Sequence, residues 1–206
     1  MRPTNATEAW AKLTQGNLNF VSGTPAHPRQ DVELRKSLAA AQEPFAALFG
    51  CSDSRLSAEM IFDVGLGDLF VVRNAGQVIA QTIVGSLEFA VEVLKVPLIL
   101  VLGHDSCGAV RAAMDSADGN LHVEGEYIEN LVERISPTVA AARDQGIEDI
   151  DLINREHIRD TIDELLEMSS LIREKVEGGK LAVVGAQYRL AEGRVELTTS
   201  RGNLES

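Results

Sequence analysis

The sequence is poor in cysteine, in positive charge and in long apolar runs, and each shortage narrows the possibilities. Its longest apolar runs are only as long as a β-strand, so no transmembrane helix is expected. The first residues lead into no apolar segment, which predicts no signal peptide and a cytoplasmic location. Lysine and arginine number 19 against 31 aspartates and glutamates, and the formal net charge of −12 argues against a nucleic-acid or anionic-membrane partner.

The two cysteines, Cys51 and Cys107, follow apolar runs that predict buried strands over residues 45–50 and 98–103. In the cytoplasm, thiols or metal ligands explain two cysteines better than a disulfide does. A helix-like stretch comes after each cysteine. Both should therefore lie at the carboxyl ends of strands, where open α/β sheets build their sites.

Apolar runs and helical stripes alternate along the chain, which predicts an α/β fold. The fold class is a mostly parallel four-stranded central sheet with helices on both faces. Glu192-Gly193 predicts a hairpin turn into a C-terminal antiparallel edge strand at 195–198. The predicted central strands cover residues 45–50, 69–73, 98–103 and 181–186.

The length predicts a single domain, 1–206, without an internal linker. We divide it into an N-terminal helical arm (1–42), a core that holds both cysteines (43–120) and a region of helices and C-terminal strands (121–206). The apolar spacing of the arm predicts an amphipathic helix, which packs either on its own domain or on a neighbouring subunit.

The charged region 126–177 is predicted to be helical. Ser136-Pro137 should end one helix and start the next, with proline in the first turn. An apolar stripe from Ile150 to Ile172 predicts one long helix that Gly178-Gly179 closes.

His104 precedes Cys107 by three residues at a predicted strand-to-helix turn, so both side chains can reach one ion. Together with Cys51 they offer two thiolates and an imidazole, a set that suits Zn²⁺. Three protein ligands leave a fourth position open, as in catalytic zinc sites. The alternative is two buried cysteines that pack as small apolar residues, with His104 hydrogen-bonded in a loop.

Asp53 and Arg55 follow Cys51 at alternate positions, so in an extended chain all three side chains point to one side. Asp53 either takes the fourth position on the metal and closes the site, or pairs with Arg55 and leaves that position to water. In the second case Asp53 orients the water, and activity should rise toward alkaline pH.

Three segments, 49–55, 68–76 and 102–110, resemble the β-class carbonic anhydrases in sequence, order and spacing, and look closest to the bacterial, actinobacterial-like members. The resemblance covers nearly the whole chain. It implies a zinc lyase (carbonate dehydratase) that reversibly hydrates CO₂ to bicarbonate and a proton by attack of zinc-bound hydroxide. Cys51, His104 and Cys107 would be the zinc ligands, with Asp53 and Arg55 as the catalytic dyad.

The resemblance also implies a substrate pocket and an assembly. Gln42 would contact substrate across a dimer interface, Phe70 and Phe89 would form an apolar pocket for CO₂, and Gly108 would offer its backbone N–H. Plain core packing is the alternative for either phenylalanine. The family forms homodimers, often paired into homotetramers, and its N-terminal helix reaches over the partner subunit.

Some bacterial members of the family bind bicarbonate at a second, inhibitory site and switch to a state in which the aspartate binds zinc. Arg73 and Tyr188 match two residues of that site, but Leu48 stands where the family has tryptophan. This departure counts against the bicarbonate site and leaves the Asp53 switch open.

Two other functions fit the same motifs. One is a carbonyl sulfide or carbon disulfide hydrolase on the same scaffold, and the other is a non-catalytic zinc- or bicarbonate-binding protein. No proton-shuttle group is evident: His27, His122 and His157 are expected to be surface histidines rather than shuttles.

Overall fold

The computed structural model describes residues 2–120 and 124–204, and its framework is a twisted sheet of five strands within those residues. The strand order is β2-β1-β3-β4-β5; the first four are parallel, and β5 runs antiparallel to β4. This confirms the predicted fold class. The strands are β1 (Ala46–Cys51), β2 (Leu69–Asn74), β3 (Leu98–His104), β4 (Ala182–Tyr188) and β5 (Val195–Arg201).

Helices cover both faces of the sheet, as predicted for parallel strands. They are α1 (Ala6–Val21), α2 (Val32–Ser37), α3 (Ala58–Ile61), α4 (Gln81–Glu92), α5 (Gly108–Ala117), α6 (Glu126–Asp144), α7 (Ile150–Met168) and α8 (Ser170–Glu177), and a 3₁₀ turn covers Ala75–Gln77. Among the described residues, no helix is both long enough and apolar enough to cross a membrane.

Successive side chains of the buried strands point to opposite faces of the sheet, where they form two core clusters, one on each face. In β1, Leu48 belongs to the first core cluster and Phe49 to the second. Helices α1, α5 and α6 pack into the first, α4 and α8 into the second, and α7 contributes to both. The three central strands β1, β3 and β4 are therefore buried along their whole length, whereas β2 and β5 are partly exposed.

Helix α1 packs on its own chain. Asn5 caps it by accepting the Glu8 N–H at 2.8 Å. Gly16 lies so close to the Phe62 carbonyl that a Cβ there would sit 1.7 Å from the oxygen. Next to it, the buried Asn17 donates to the Gly193 carbonyl at 2.8 Å and accepts the Val195 N–H at 2.9 Å. The helix is thus fixed to the turn before β5.

The prediction of a helix boundary at Ser136-Pro137 is wrong. Helix α6 runs through Pro137 without interruption. Val132, Ile135 and Val139 bury one continuous apolar stripe in the first core cluster. That burial outweighs the hydrogen bond that proline cannot donate.

The single long helix predicted from Ile150 to Ile172 is also wrong, because the chain breaks at Ser169. This residue is extended, with φ −109° and ψ 101°, and its hydroxyl accepts the Ile172 N–H at 3.1 Å as the cap of α8. The same hydroxyl donates to Glu88 at 2.6 Å. The apolar period continues across the break because α7 and α8 both pack on the second core cluster.

Candidate metal centre

Three potential metal ligands converge where β1 and β3 end. Cys51 is the last residue of β1, His104 is the last residue of β3, and Cys107 precedes α5. β1 and β3 are adjacent and parallel, so their carboxyl ends meet at one edge of the sheet. One ligand atom from each residue lies within 4.8 Å of the others, and all three side chains are buried. The predicted ligand set is therefore assembled.

His104 presents a free nitrogen to the two thiols. Its Nδ1 lies 2.8 Å from the Asp105 carbonyl, which can only accept, so Nδ1 carries the proton. Its Nε2 is buried without a hydrogen-bond partner. A buried acceptor left unpaired is costly in a folded protein, and a metal ion at this point would remove that cost.

The two cysteines differ in their surroundings. The Gly76 N–H donates to Cys51 Sγ at 3.4 Å. A hydrogen bond from Cys107, together with this N–H, lowers the pKa of the Cys51 thiol. The same thiol–thiol contact and burial raise the pKa of Cys107. Without a cation the pair therefore favours one thiolate, and a bound dication would be needed to stabilise the second.

Asp53 and Arg55 form a two-pronged ion pair at the mouth of the cluster. Arg55 Nε donates to Asp53 Oδ1 at 2.9 Å and Nη2 donates to Oδ2 at 2.7 Å. This guanidinium holds the pKa of Asp53 well below its usual range. Asp53 Oδ2 also lies 3.9 Å from His104 Nε2. The carboxylate is thus beside the free nitrogen while Arg55 restrains it.

Arg73 fixes the backbone from Cys51 to Asp53, next to the Asp53–Arg55 ion pair. Its Nε donates to the Cys51 carbonyl at 2.9 Å, and its Nη2 donates to the Asp53 carbonyl at 2.7 Å. Tyr188 is buried on β4 opposite His104, and Leu48 is buried in the first core cluster. The predicted bicarbonate site at Arg73 and Tyr188 stays a prediction.

The predicted substrate residues lie in different places. Gly108 is exposed at the start of α5, with open space where a Cβ would stand. Phe70 and Phe89 pack on each other with ring centroids 6.1 Å apart, and Phe70 contacts the second core cluster, whereas Cys51 and Cys107 belong to the first. Gln42 is exposed ahead of β1, at the other end of that strand from Cys51.

Of the three remaining histidines, His27 is exposed as expected and His122 lies outside the described residues. The surface position expected for His157 is wrong: its side chain is buried in α7, and Nε2 lies 2.7 Å from the Gly76 carbonyl. Burial lowers the pKa of His157, so the ring is neutral with its proton on Nε2.

Sequence reasoning missed three residues that support the cluster: Gly76, His157 and Asn154, whose amide donates to the His104 carbonyl at 2.6 Å. Gly76 ends the segment 68–76 that carries the resemblance, but no separate role is predicted for it. Asn154 and His157 carried a weaker signal, because they stand beside Ile153 and Ile158 on the buried stripe of α7, where polar residues are unusual.

Comparison with known proteins gives one consistent result. A family model described as carbonic anhydrase matches residues 46–195. Carbonic anhydrase 2 of Mycobacterium tuberculosis is 50% identical over 205 residues, which cover 99% of this chain and 98% of that protein. A carbonic anhydrase of Mycolicibacterium smegmatis is 46% identical over 204 residues, covering 99% and 98% of the two chains.

Solved structures give the same fold. A structure from work on two tetrameric β-carbonic anhydrases of Sordaria macrospora aligns with TM-score 0.72 and 25% identity, covering 89% of this chain and 93% of that one. The β-carbonic anhydrase CcaA aligns with TM-score 0.72 and 27% identity, covering 90% and 86%. The chain belongs to the carbonic anhydrase family and is a β-class enzyme of the actinobacterial type.

Proposed function

We propose that this enzyme reversibly hydrates carbon dioxide to bicarbonate and a proton at a zinc ion bound by Cys51, His104 and Cys107. The observation that carries the proposal is the unpartnered, buried Nε2 of His104, which faces two thiols with all three ligand atoms within 4.8 Å. An apolar packing role for the cysteines would leave that nitrogen unexplained.

The donor set fits zinc. Two soft thiolates and one neutral imidazole match its preferences, and three protein ligands leave one position for solvent or substrate. When bound, zinc would supply the Lewis acidity that brings the pKa of a water molecule toward neutrality. The Asp105 carbonyl would hold His104 in the tautomer that this requires, since Nδ1 is already committed as a donor to it, and Asn154 would fix the His104 backbone through its carbonyl.

Asp53 would orient the attacking water. Its Oδ2 is the carboxylate oxygen nearest to His104 Nε2, and it stays ionised because Arg55 donates to both of its oxygens. The ion pair formed with Arg55 supports the open form of the site. On the opposite side, the exposed N–H of Gly108 at the start of α5 is free of the helix ladder and would donate to a bicarbonate oxygen.

We further propose that the working enzyme is a homo-oligomer, a dimer or a tetramer. Gln42 precedes β1, and the strand from Ala46 to Cys51 spans roughly 16 Å, so Gln42 cannot reach the cluster of its own chain. A substrate contact from Gln42 would have to come from a second subunit. The Sordaria macrospora relatives are described as tetrameric, which supports such an assembly.

The test is CO₂ hydration followed by stopped flow on zinc-loaded protein. We expect rapid turnover in the wild type and a loss of at least about tenfold in Asp53→Ala, with zinc still bound at one ion per chain. Asp118→Ala is the matched control, because Asp118 forms a similar two-pronged pair with Arg143 at 2.8 and 3.0 Å away from the cluster. It should keep wild-type turnover.

Zinc bound at one ion per chain without CO₂ turnover would contradict the proposal. Carbonyl sulfide and carbon disulfide would then be tried as substrates, since the same ligands would serve their hydrolysis. Loss of zinc from Asp53→Ala would show that Asp53 is a standing ligand, which the pairing with Arg55 argues against.

A further inference from the structure

We propose that His157 is a positioning residue of the metal centre: it anchors Gly76 so that the Gly76 N–H stays directed at the sulfur of Cys51. The inference rests on the zinc site proposed above and extends it to a side chain that touches neither metal nor substrate. The link is a chain of two hydrogen bonds, from His157 Nε2 to the Gly76 carbonyl at 2.7 Å and from the Gly76 N–H to Cys51 Sγ at 3.4 Å.

The N–H and the carbonyl of Gly76 flank one Cα, so the backbone angles of Gly76 decide whether the bonds to Cys51 and to His157 can form together. Gly76 has φ 73° and ψ 12°, a left-handed conformation that glycine adopts without strain but does not prefer over its alternatives. A glycine alone would therefore direct its N–H loosely. The carbonyl must be held from outside, and His157 is the donor that reaches it.

The surroundings show why glycine is needed here despite that freedom. A Cβ on Gly76 would lie 2.7 Å from Ala109 Cβ and 3.0 Å from Ile135 Cδ1. The next residue, Gln77, also has a positive φ of 42°, which is costly for a residue with a side chain. Such a conformation persists only where its neighbours hold it in place. Helix α7 supplies that support through His157.

The same face of α7 acts on a second ligand. Asn154, three residues before His157, donates to the His104 carbonyl at 2.6 Å. One rigid helix thus fixes the backbone next to Cys51 and the backbone of His104, although the two ligands come from different strands. Such outer supports usually contribute about ten- to a hundredfold to metal affinity.

The experiment compares His157→Leu, which removes the donor, with His157→Gln, whose amide can still donate at a similar reach. Zinc affinity is measured by competition with a chelator, and the cobalt-loaded proteins are examined by their thiolate-to-cobalt absorption. We expect H157L to bind zinc about tenfold more weakly with a shifted absorption, and H157Q to recover most of both. If H157L fails to fold, His157→Asn, whose amide is too short to reach Gly76, replaces it.

Ile162→Ala is the matched control, since Ile162 is buried on α7 in the second core cluster, whereas Cys51 and Cys107 belong to the first. It should lower stability and leave zinc affinity and the cobalt spectrum unchanged. Equal zinc affinity in H157L and wild type, or the same loss in I162A, would overturn the inference. Wild-type protein that binds neither ion would overturn the zinc site as well, so the two failures are distinguishable.

Discussion

At the scale of single residues, the proposed metal centre depends on how each candidate ligand is oriented as much as on which ligands are present. The H-x-x-C spacing predicts that His104 and Cys107 can share an ion. It does not say which ring nitrogen is free; the Asp105 carbonyl decides that by accepting a hydrogen bond from Nδ1–H at 2.8 Å. The thiolate of Cys51 is likewise favoured by a backbone N–H that no motif reveals.

Gly76→Ala tests how tightly the residue beside Cys51 is constrained. We expect a loss of about 1–3 kcal/mol in the free energy of unfolding, because alanine strains at positive φ and its methyl would contact Ala109 and Ile135. Urea denaturation measures it. Gly85→Ala is the control: Gly85 is exposed inside α4 with free space around it, and there alanine should stabilise by about 0.5–1 kcal/mol. A G76A variant as stable as the wild type would contradict this account.

The convergence of the three proposed ligands was predictable because each stands next to a buried strand that is evident from its own residues. Cys51 and His104 end such strands, and parallel pairing brings their ends together without further information. Gly76 and His157 were not predictable as a pair, since 81 residues separate them and only the packing of α7 against the turn joins them.

At the scale of secondary-structure elements, the strands and most helices follow from periodicity, whereas two helix boundaries do not. Pro137 is a strong local signal, and tertiary burial of the α6 stripe overrides it. Ser169 is a weak local signal, yet it ends α7, because its hydroxyl both caps α8 and donates to Glu88 on α4. Both outcomes depend on partners distant in sequence.

Ser169→Ala should therefore destabilise the protein by about 0.5–2 kcal/mol, since the start of α8 loses its cap and Glu88 loses a donor. Chemical denaturation gives the value. Ser170→Ala, one residue along at an exposed position, should change stability by less than about 0.5 kcal/mol. Similar losses in the two variants would show that the hydroxyl of Ser169 has no special role.

The contact between α4 and α8 should also depend on pH. Hydrogen bonds and charge from Lys175, then Lys95, lower the pKa of Glu92 to about 2. A depressed carboxyl pKa stabilises the fold above the ordinary value of 4.5, and this contribution is lost as the pH falls toward about 2.

The stability difference between wild type and Glu92→Gln, followed by denaturation at stepped pH, should accordingly shrink on acidification through that window. Added salt at neutral pH should shrink it too, because the ion pairs are on the surface. A difference that stays constant from neutral pH down to about 2 would count against the role of these lysines.

At the scale of the whole molecule, the metal centre joins segments that are far apart in the sequence. Cys51 and His104 end adjacent strands, and Cys107 begins a helix that packs into the first core cluster with α6. An ion at this point would act as a cross-link between the two halves of the sheet. The predicted division into arm, core and C-terminal region and the cytoplasmic location stay predictions.

Zinc removal should therefore lower global stability. If zinc is present at 100 times its dissociation constant, binding stabilises the folded state by about 2.7 kcal/mol. For a chain of this size that is roughly 5–10 °C in the melting temperature. Thermal unfolding with added zinc and with a chelator measures the shift. Cys107→Ser should lose most of it, and a full shift in that variant would place zinc elsewhere.

The bond between Asn17 and the turn at Gly193 sets an order for folding during synthesis. The two residues are 176 positions apart, so α1 leaves the ribosome roughly ten to thirty-five seconds before the segment that completes its binding site is made. Throughout that interval Asn17 lacks its partners at Gly193 and Val195. The nascent chain consequently carries its earliest helix almost to the end of synthesis without the two hydrogen bonds that fix it to the turn before β5.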